Sequence, residues 1–300
     1  MRPESLASEL RRRLPGLRVA EKEPMSAHCA FRIGGPADLF LEPGTERELT
    51  ELLRFLAEKG EKPIIIGNGT NLLVRDEGVR APVIRIGEAL GGVRIDGDTV
   101  TAGAGAGLSR IAAAARDAEL SGFEFAHGIP GCLGGAIVMN AGAYGGEMKD
   151  VVRSVRYLDE TGALRETEDP GFSYRRSRFS GGEGVILGAA LRLSPGDPAE
   201  IAARMRELWE RRSASQPLSK PSAGSTFKRP ATGYAAAMIE GAGLKGFQLG
   251  GAQVSEKHAG FVINTGGATC ADVLALMAHI QKAVERQYGV LLEPEVKLIG

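Results

Sequence analysis

Apolar residues recur at a spacing of four at the start of the chain, at Leu6, Leu10 and Leu14, which predicts a short amphipathic helix over residues 1 to about 20. The pattern then changes: AFRIGGPADLFLEP reads as strand, glycine turn, strand. Thr45 with Glu48 three residues on is a capping box. It opens a helix whose apolar face is Leu49, Leu52, Leu53 and Leu56 and which Gly60 closes. The apolar run from Pro63 to Ile66 follows as a buried strand, so the chain begins with a β-α-β unit compatible with a parallel pair.

The middle third has the period of strands. GNGTNLLVRDEGVRAPVIRIG, GGVRIDGDTVTAGAGAG, VVRSVRYLDETGALRE and GEGVILGAALRLS are short apolar runs broken by Gly and Asp turns. One Ala-rich helix interrupts them at about residues 108 to 120. Asp197, Pro198 and Glu200 form a helix entry, and the change in composition there predicts a domain boundary near residue 197. The last helix carries Val273, Leu276, Met277, Ile280 and Val284 on one face and stops at Gly289, after which LEPEVKLIG ends the chain as a strand. With no repeats or low-complexity segments, the expected class is α+β.

Composition narrows the function classes. Lys plus Arg and Asp plus Glu are both 37, without the basic excess that phosphate-backbone binding requires, so nucleic acid is not an expected partner. No apolar span reaches the roughly 18 residues of a membrane helix. Charges occupy the N-terminal positions where a signal peptide would be apolar, so the expected setting is the cytoplasm. Cys29, Cys132 and Cys270 are odd in number and widely spaced, and His28, His127, His258 and His279 form no H-E-x-x-H pair. No metal site is expected. Glycine stands out at 42 of 300 residues, about twice the average share, clustered in loops without a collagen-like period. Such clusters suit backbone brought close to a ligand.

Five segments carry candidate chemistry. Gly67-Asn68-Gly69-Thr70-Asn71 follows a strand, but Leu72 breaks the dinucleotide fingerprint and no helical pattern follows. What remains is either an anion-binding nest of N–H groups or an ordinary tight turn. HGIPGCLGGAIVMNAGAYGG, residues 127 to 146, is richer in glycine than a turn requires. It suits a planar ligand lying against bare backbone, or equally the close packing of a helix on a sheet. SYRRSRF places Arg175 beside Tyr174, as a solvated basic turn or as a guanidinium facing a carboxylate. Ser225 and Lys228 in PSAGSTFKRP have the S-x-x-K spacing of serine acylases but lack that class's other elements, so spacing alone makes Ser225 a turn serine. Glu295 alternates with Val296 in the terminal strand and faces water or a site.

Taken in order, FRIGGPA, GNGTNLLV, GIPGCLGGAIVMNAGAYGGE, YRRSRF, PSAGSTFKRP, LKGFQLGGAQVSEKHAGFVIN and LEPEVKLIG resemble the UDP-N-acetylenolpyruvoylglucosamine reductase family, in its shorter subclass, over about residues 26 to 299. The resemblance implies an α+β FAD-binding fold of the vanillyl-alcohol-oxidase type with an added C-terminal substrate subdomain. The implied division is residues 1–66 joined by 293–300, residues 67–196, and residues 197–292. It implies FAD and NADPH as cofactors and, as substrate, the enolpyruvyl ether of UDP-N-acetylglucosamine, reduced to UDP-N-acetylmuramate for peptidoglycan synthesis.

On the same resemblance Gly67, Asn68, Gly69, Thr70 and Asn71 match the pyrophosphate loop. Gly128, Ile129, Pro130, Gly131, Gly134 and Gly135, with Asn140, Ala141, Gly142 and Ala143, match the flavin wall. Arg175 matches the catalytic arginine, Ser225 the proton donor and Glu295 the catalytic glutamate. Lys257 and His258 fall in a block lining the third subdomain. The chain departs from the family pattern at His28-Cys29-Ala30, where Thr-Thr or Asn-Thr is common, and at Cys132, where a small polar residue is commoner. A flavin-dependent oxidase of the same fold acting on another small substrate is the alternative, and covalent flavin on His28, Cys29 or His127 would mark it. A non-catalytic nucleotide-binding module is the alternative of a different class.

Overall fold

A computed structural model describes residues 5–300. The described residues pack as two compact units, one of residues 5–21, 39–68 and 81–212, the other of residues 22–38, 69–80 and 213–300.

The first unit begins with the helix Leu6–Arg13, capped by the Ser5 hydroxyl. It is shorter than the spacing of leucines predicts, and residues 1–4 of that expectation lie outside the described residues. Leu14 precedes Pro15, whose ring drives its predecessor out of helical geometry. The chain then runs as the strand Arg18–Pro24. The expected strand at Ala30–Ile33 does not form: that segment is a turn, and the strand begins only at Pro36, as Pro36–Glu42.

The helix Glu46–Glu58 starts at Thr45, whose hydroxyl accepts from the Glu48 N–H at 3.1 Å. The Glu48 carboxylate closes the box one residue early, on the Gly44 N–H at 2.8 Å. Leu49, Leu52, Phe55 and Leu56 are its buried face, with Leu53 only half-buried. The flanking strands Pro36–Glu42 and Ile64–Ile66 are both parallel to a third strand, Val83–Arg85, which lies between them. The β-α-β reading therefore holds for direction but not for adjacency.

The expected middle strands form an antiparallel sheet of five, in the order Leu164–Thr167, Val152–Leu158, Val185–Arg192, Thr99–Gly103, Val93–Asp96. The Ala-rich helix Leu108–Asp117 buries Leu108, Ile111, Ala112 and Ala115 in a core that includes Val100, Leu133, Ile137, Val155 and Leu191. The helix Pro198–Ser215 follows.

In the second unit the strands Gln248–Leu249, Ala252–Val254 and Val262–Asn264 make a small antiparallel sheet. The helix Cys270–Tyr288 buries Val273, Leu276, Met277, Ile280 and Val284, as the sequence pattern predicts, and ends at Gly289 with φ 67°. The terminal strand Lys297–Ile299 pairs in parallel with Leu72–Val74. No helix among the described residues is long and apolar enough to cross a membrane, and no group of three or more His, Cys, Asp or Glu among them could hold a metal ion.

The start of Cys270–Tyr288 is capped twice. Thr269 and Asp272 form a reciprocal box. Asp76 reaches in from a distant loop and accepts from the N–H groups of Cys270 at 2.8 Å and Ala271 at 3.0 Å. These are the donors that a helix leaves unsatisfied. Asp76→Ala should therefore lower the unfolding free energy by about 1–2 kcal/mol, read as a shift of the urea midpoint without a change in slope.

Candidate active site

The Gly-rich block of the first unit is stitched to the turn before the helix Leu108–Asp117. The Leu108 N–H donates to Gly131 O at 3.2 Å, Leu133 N–H to Ala106 O at 2.9 Å and Gly134 N–H to Ala104 O at 2.9 Å. The short helix Leu133–Val138 follows. The glycines divide by physical role. A side chain at Gly134 would press on Ala104 at 3.1 Å, so Gly134 serves helix–sheet packing. Gly131 has φ 137°, which only glycine adopts readily. Gly135 is exposed, and a side chain there would meet only the Cys132 sulfur, at 4.0 Å. Gly142–Ala143 and Gly146–Glu147 form a hairpin across Tyr144 and Gly145, both at positive φ.

Gly67–Asn71 is a loop between the strands Ile64–Ile66 and Leu72–Val74. A side chain on Gly67 would overlap the Cys132 sulfur, so within the first unit this loop meets the Gly-rich block. Within the second unit, Gly69 (φ 63°) lies against the His28 carbonyl, and its own carbonyl accepts from the Ala30 N–H at 3.0 Å. His28, Cys29 and Ala30 thus support the loop through their backbone. Among the described residues, the N–H groups of Asn68, Gly69 and Gly131 have no acceptor in the protein. Bare glycine surface with such unclaimed N–H groups fits a flavin dinucleotide, whose phosphates and ring edge accept hydrogen bonds.

Arg175 stands on a tight turn. Ser173 and Arg176 exchange N–H···O bonds of 2.9 and 3.1 Å, which leaves Arg175 third in the turn with φ 54°, where glycine or asparagine is usual. Strain of this kind persists only where the surroundings impose it. Asn140, completely buried and itself at φ 42°, donates to Ser173 O at 3.1 Å and to Glu147 at 2.7 Å, and accepts from the Lys149 N–H at 2.9 Å. The Ser177 and Ser180 hydroxyls both donate to Val138 O, at 3.0 and 2.6 Å. The turn is therefore bolted to the Gly-rich block. Its half-buried guanidinium lies 5.4 Å from the Tyr174 ring centre and 3.5 Å from Gly142 O.

Ser225 and Glu295 belong to the second unit, which pairs the backbone next to Ser225 with the segment that ends in Glu295. Thr226–Lys228 runs antiparallel to Glu293–Glu295: Glu295 N–H donates to Thr226 O at 2.9 Å and Lys228 N–H to Glu293 O at 2.8 Å. Asn71 donates from its side chain to Glu295 O at 3.0 Å. Glu295 is half-buried and Ser225 exposed. The Lys228 ammonium pairs with Glu293, so it is not a base held against Ser225, in keeping with the missing acylase elements. Cys29 is buried, donates to Ile33 O at 3.1 Å, and has its thiol pushed up by burial. That opposes the thiolate a covalent flavin link would need.

The positioning residues Asn140, Ser177, Ser180 and Thr226 were not singled out from the sequence as such. Asn140 was marked only as flavin wall, and nothing local marks the serines, because their partners lie about 40 residues away on another element.

A family model for an FAD binding domain matches residues 37–168, and one for the C-terminal domain of UDP-N-acetylenolpyruvoylglucosamine reductase matches residues 216–299. The chain is 50% identical to the UDP-N-acetylenolpyruvoylglucosamine reductase of Caldanaerobacter subterraneus subsp. tengcongensis, covering 99% of each. It belongs to the UDP-N-acetylenolpyruvoylglucosamine reductase family. The Clostridioides difficile reductase is 48% identical over 93% of this chain and 92% of its own. The crystal structure of the Thermus caldophilus reductase superposes with a TM-score of 0.81 at 33% identity, over 95% of this chain and 99% of that one. The α+β flavin-binding fold with a separate reductase C-terminal domain follows from these matches.

The Arg175 turn yields a stability test. Arg175→Gly removes the penalty of a side chain at positive φ and should raise the unfolding free energy by about 1 kcal/mol. Arg175→Ala keeps the penalty and should not. Equal midpoints in urea for the two variants would show that the turn is unstrained.

Proposed function

We propose that this chain reduces the enolpyruvyl ether of UDP-N-acetylglucosamine to UDP-N-acetylmuramate with NADPH and FAD, the reaction expected of its family. The carrying observation is the pairing of Thr226–Lys228 with Glu293–Glu295, which joins the backbone next to Ser225 to the segment that ends in Glu295 and so supports the two acting in one site. Identity of 50% over nearly the whole chain favours this reductase over an oxidase of the same fold or a non-catalytic binding module. The proposed setting is the cytoplasm, and the three-way division into residues 1–66 with 293–300, 67–196 and 197–292 belongs to the same reading.

FAD, when bound, supplies the hydride chemistry between NADPH and the double bond. Gly67–Asn71 would hold its phosphates, and Gly128–Gly135 with Asn140–Ala143 would face its ring; Asn140 does so through its backbone, since its side chain is engaged internally. Arg175 faces the substrate carboxylate, where negative charge grows as the double bond is reduced. Its two-pronged guanidinium matches a carboxylate in a way an ammonium does not, and preorganisation by the strained turn means that no reorganisation is needed as the charge appears. Glu295, in its protonated form, donates to the developing enolate. Ser225 gives its hydroxyl proton to the carbon next to the carboxylate, and its neutrality avoids repelling the anionic substrate.

Purified protein should be yellow, hold about one FAD per chain released by acid precipitation, and bleach faster with NADPH than with NADH. Protein that takes up no flavin on reconstitution would remove the proposal. Arg175→Lys should keep flavin and stability but lose most turnover, whereas a merely solvated arginine would tolerate the change. In Ser225→Ala, flavin reduction by NADPH should stay near normal, while re-oxidation by the enolpyruvyl sugar slows by about 10²–10⁴. Slowing of the NADPH step alone would instead assign Ser225 to the nicotinamide site.

A further inference from the structure

The loop Ser255–Phe261 packs against the segment that carries Ser225, yet it has no part in the chemistry above. It is closed on itself. The buried Ser255 hydroxyl accepts from the N–H groups of Lys257 at 3.1 Å and His258 at 3.3 Å. Ser255 N–H donates to Phe261 O at 2.8 Å, and Phe261 N–H to His258 O at 3.0 Å. Inside this turn Nδ1 of His258 accepts from the Gly260 N–H at 3.1 Å. The Gly260 carbonyl in turn accepts from the Thr226 N–H at 2.9 Å, and the Thr226 hydroxyl accepts from the Val262 N–H at 2.9 Å. The His258 ring stands edge-on to Phe261 at 5.0 Å. It also closes the space beside Gly260, where a side chain would come within 3.0 Å of its Cε1.

Nδ1 accepts a hydrogen bond only while it carries no proton, so this turn requires neutral His258 with its proton on Nε2. We propose that His258 is a positioning residue for Ser225: its Nδ1 fixes Gly260, and Gly260 fixes the peptide between Ser225 and Thr226. Protonation of the ring turns that acceptor into a donor, and the bond to Gly260 is lost. The inference rests on the reading of Ser225 as proton donor.

The surroundings keep the ring in the required form. Burial is the main influence and holds the His258 pKa below the ordinary histidine range; a hydrogen bond to its own backbone and Glu240 raise it and Lys245 lowers it, each to a lesser degree. Glu240 and Lys245 are paired with each other at 2.9 Å. Of the other charged neighbours, the Lys257 ammonium is tied to Ser213 O at 2.5 Å and the Glu256 side chain lies toward Gly246. The Phe261 ring against His258 and Ala236 beside Gly260 carry no charge.

The test uses the flavin-loaded enzyme and follows the two half-reactions separately by stopped flow across about pH 5 to 8. Wild-type re-oxidation by the enolpyruvyl sugar should fall on the acid side as His258 takes a proton, while reduction by NADPH lacks that limb. His258→Asn offers Oδ1 to the Gly260 N–H at every pH; it should stay within about twofold of wild type at neutral pH and lose the acid limb. His258→Ala should slow re-oxidation about five- to tenfold at neutral pH, the scale of one lost hydrogen bond, and leave reduction unchanged. An acid limb retained in His258→Asn, or His258→Ala slowing neither or both half-reactions, would overturn the proposal. Where His258→Ala fails to fold or to hold flavin, the His258→Asn profile decides. Ser225→Ala run alongside separates the two readings: normal re-oxidation there removes the proton-donor assignment, and slowed re-oxidation with a null His258 result removes only this inference.

Discussion

The backbone of Glu295 is held from both sides, and the second unit is organised around that grip. Its N–H donates to Thr226 O and its carbonyl accepts from the Asn71 side chain, while Lys297 N–H donates to Asn71 O as the terminal strand joins Leu72–Val74. Three segments remote in sequence converge on one residue. Each bond is individually modest, about 1 kcal/mol net. Together they hold the Glu295 backbone in fixed register with the segment that carries Ser225.

The first unit holds a strained turn in place. Arg175 occupies backbone geometry that an arginine does not choose, and three polar side chains, Asn140, Ser177 and Ser180, hold its turn to the Gly-rich block. The glycines of that block are not one feature with one cause. Gly134 permits close packing on Ala104, Gly131 permits a backbone angle, and Gly135 leaves bare surface. Of the two readings of the block that local sequence left open, helix–sheet packing accounts for Gly134, while Gly135 leaves room for the other.

The amphipathic periods, the caps and the turn residues determined the helices Glu46–Glu58, Leu108–Asp117 and Cys270–Tyr288, the strands of the central sheet and the break at Gly67–Asn71. These are local properties, set by side-chain spacing and by which residues tolerate a turn. The ordered motifs also determined the family. Sequence erred where a local pattern met a neighbour it could not register: Pro15 cut short the leucine period of the first helix, and Ala30–Ile33 has strand-like composition but turns, ahead of the strand that begins at Pro36. Tertiary structure alone decided that Val83–Arg85 inserts between two strands that are consecutive in the chain, that Asp76 caps a helix nearly 200 residues away, and that Thr226, next to Ser225, pairs with Glu295. Such outcomes depend on hydrogen bonds between groups with no sequence relationship, and only the folded chain brings those groups within 3 Å of one another.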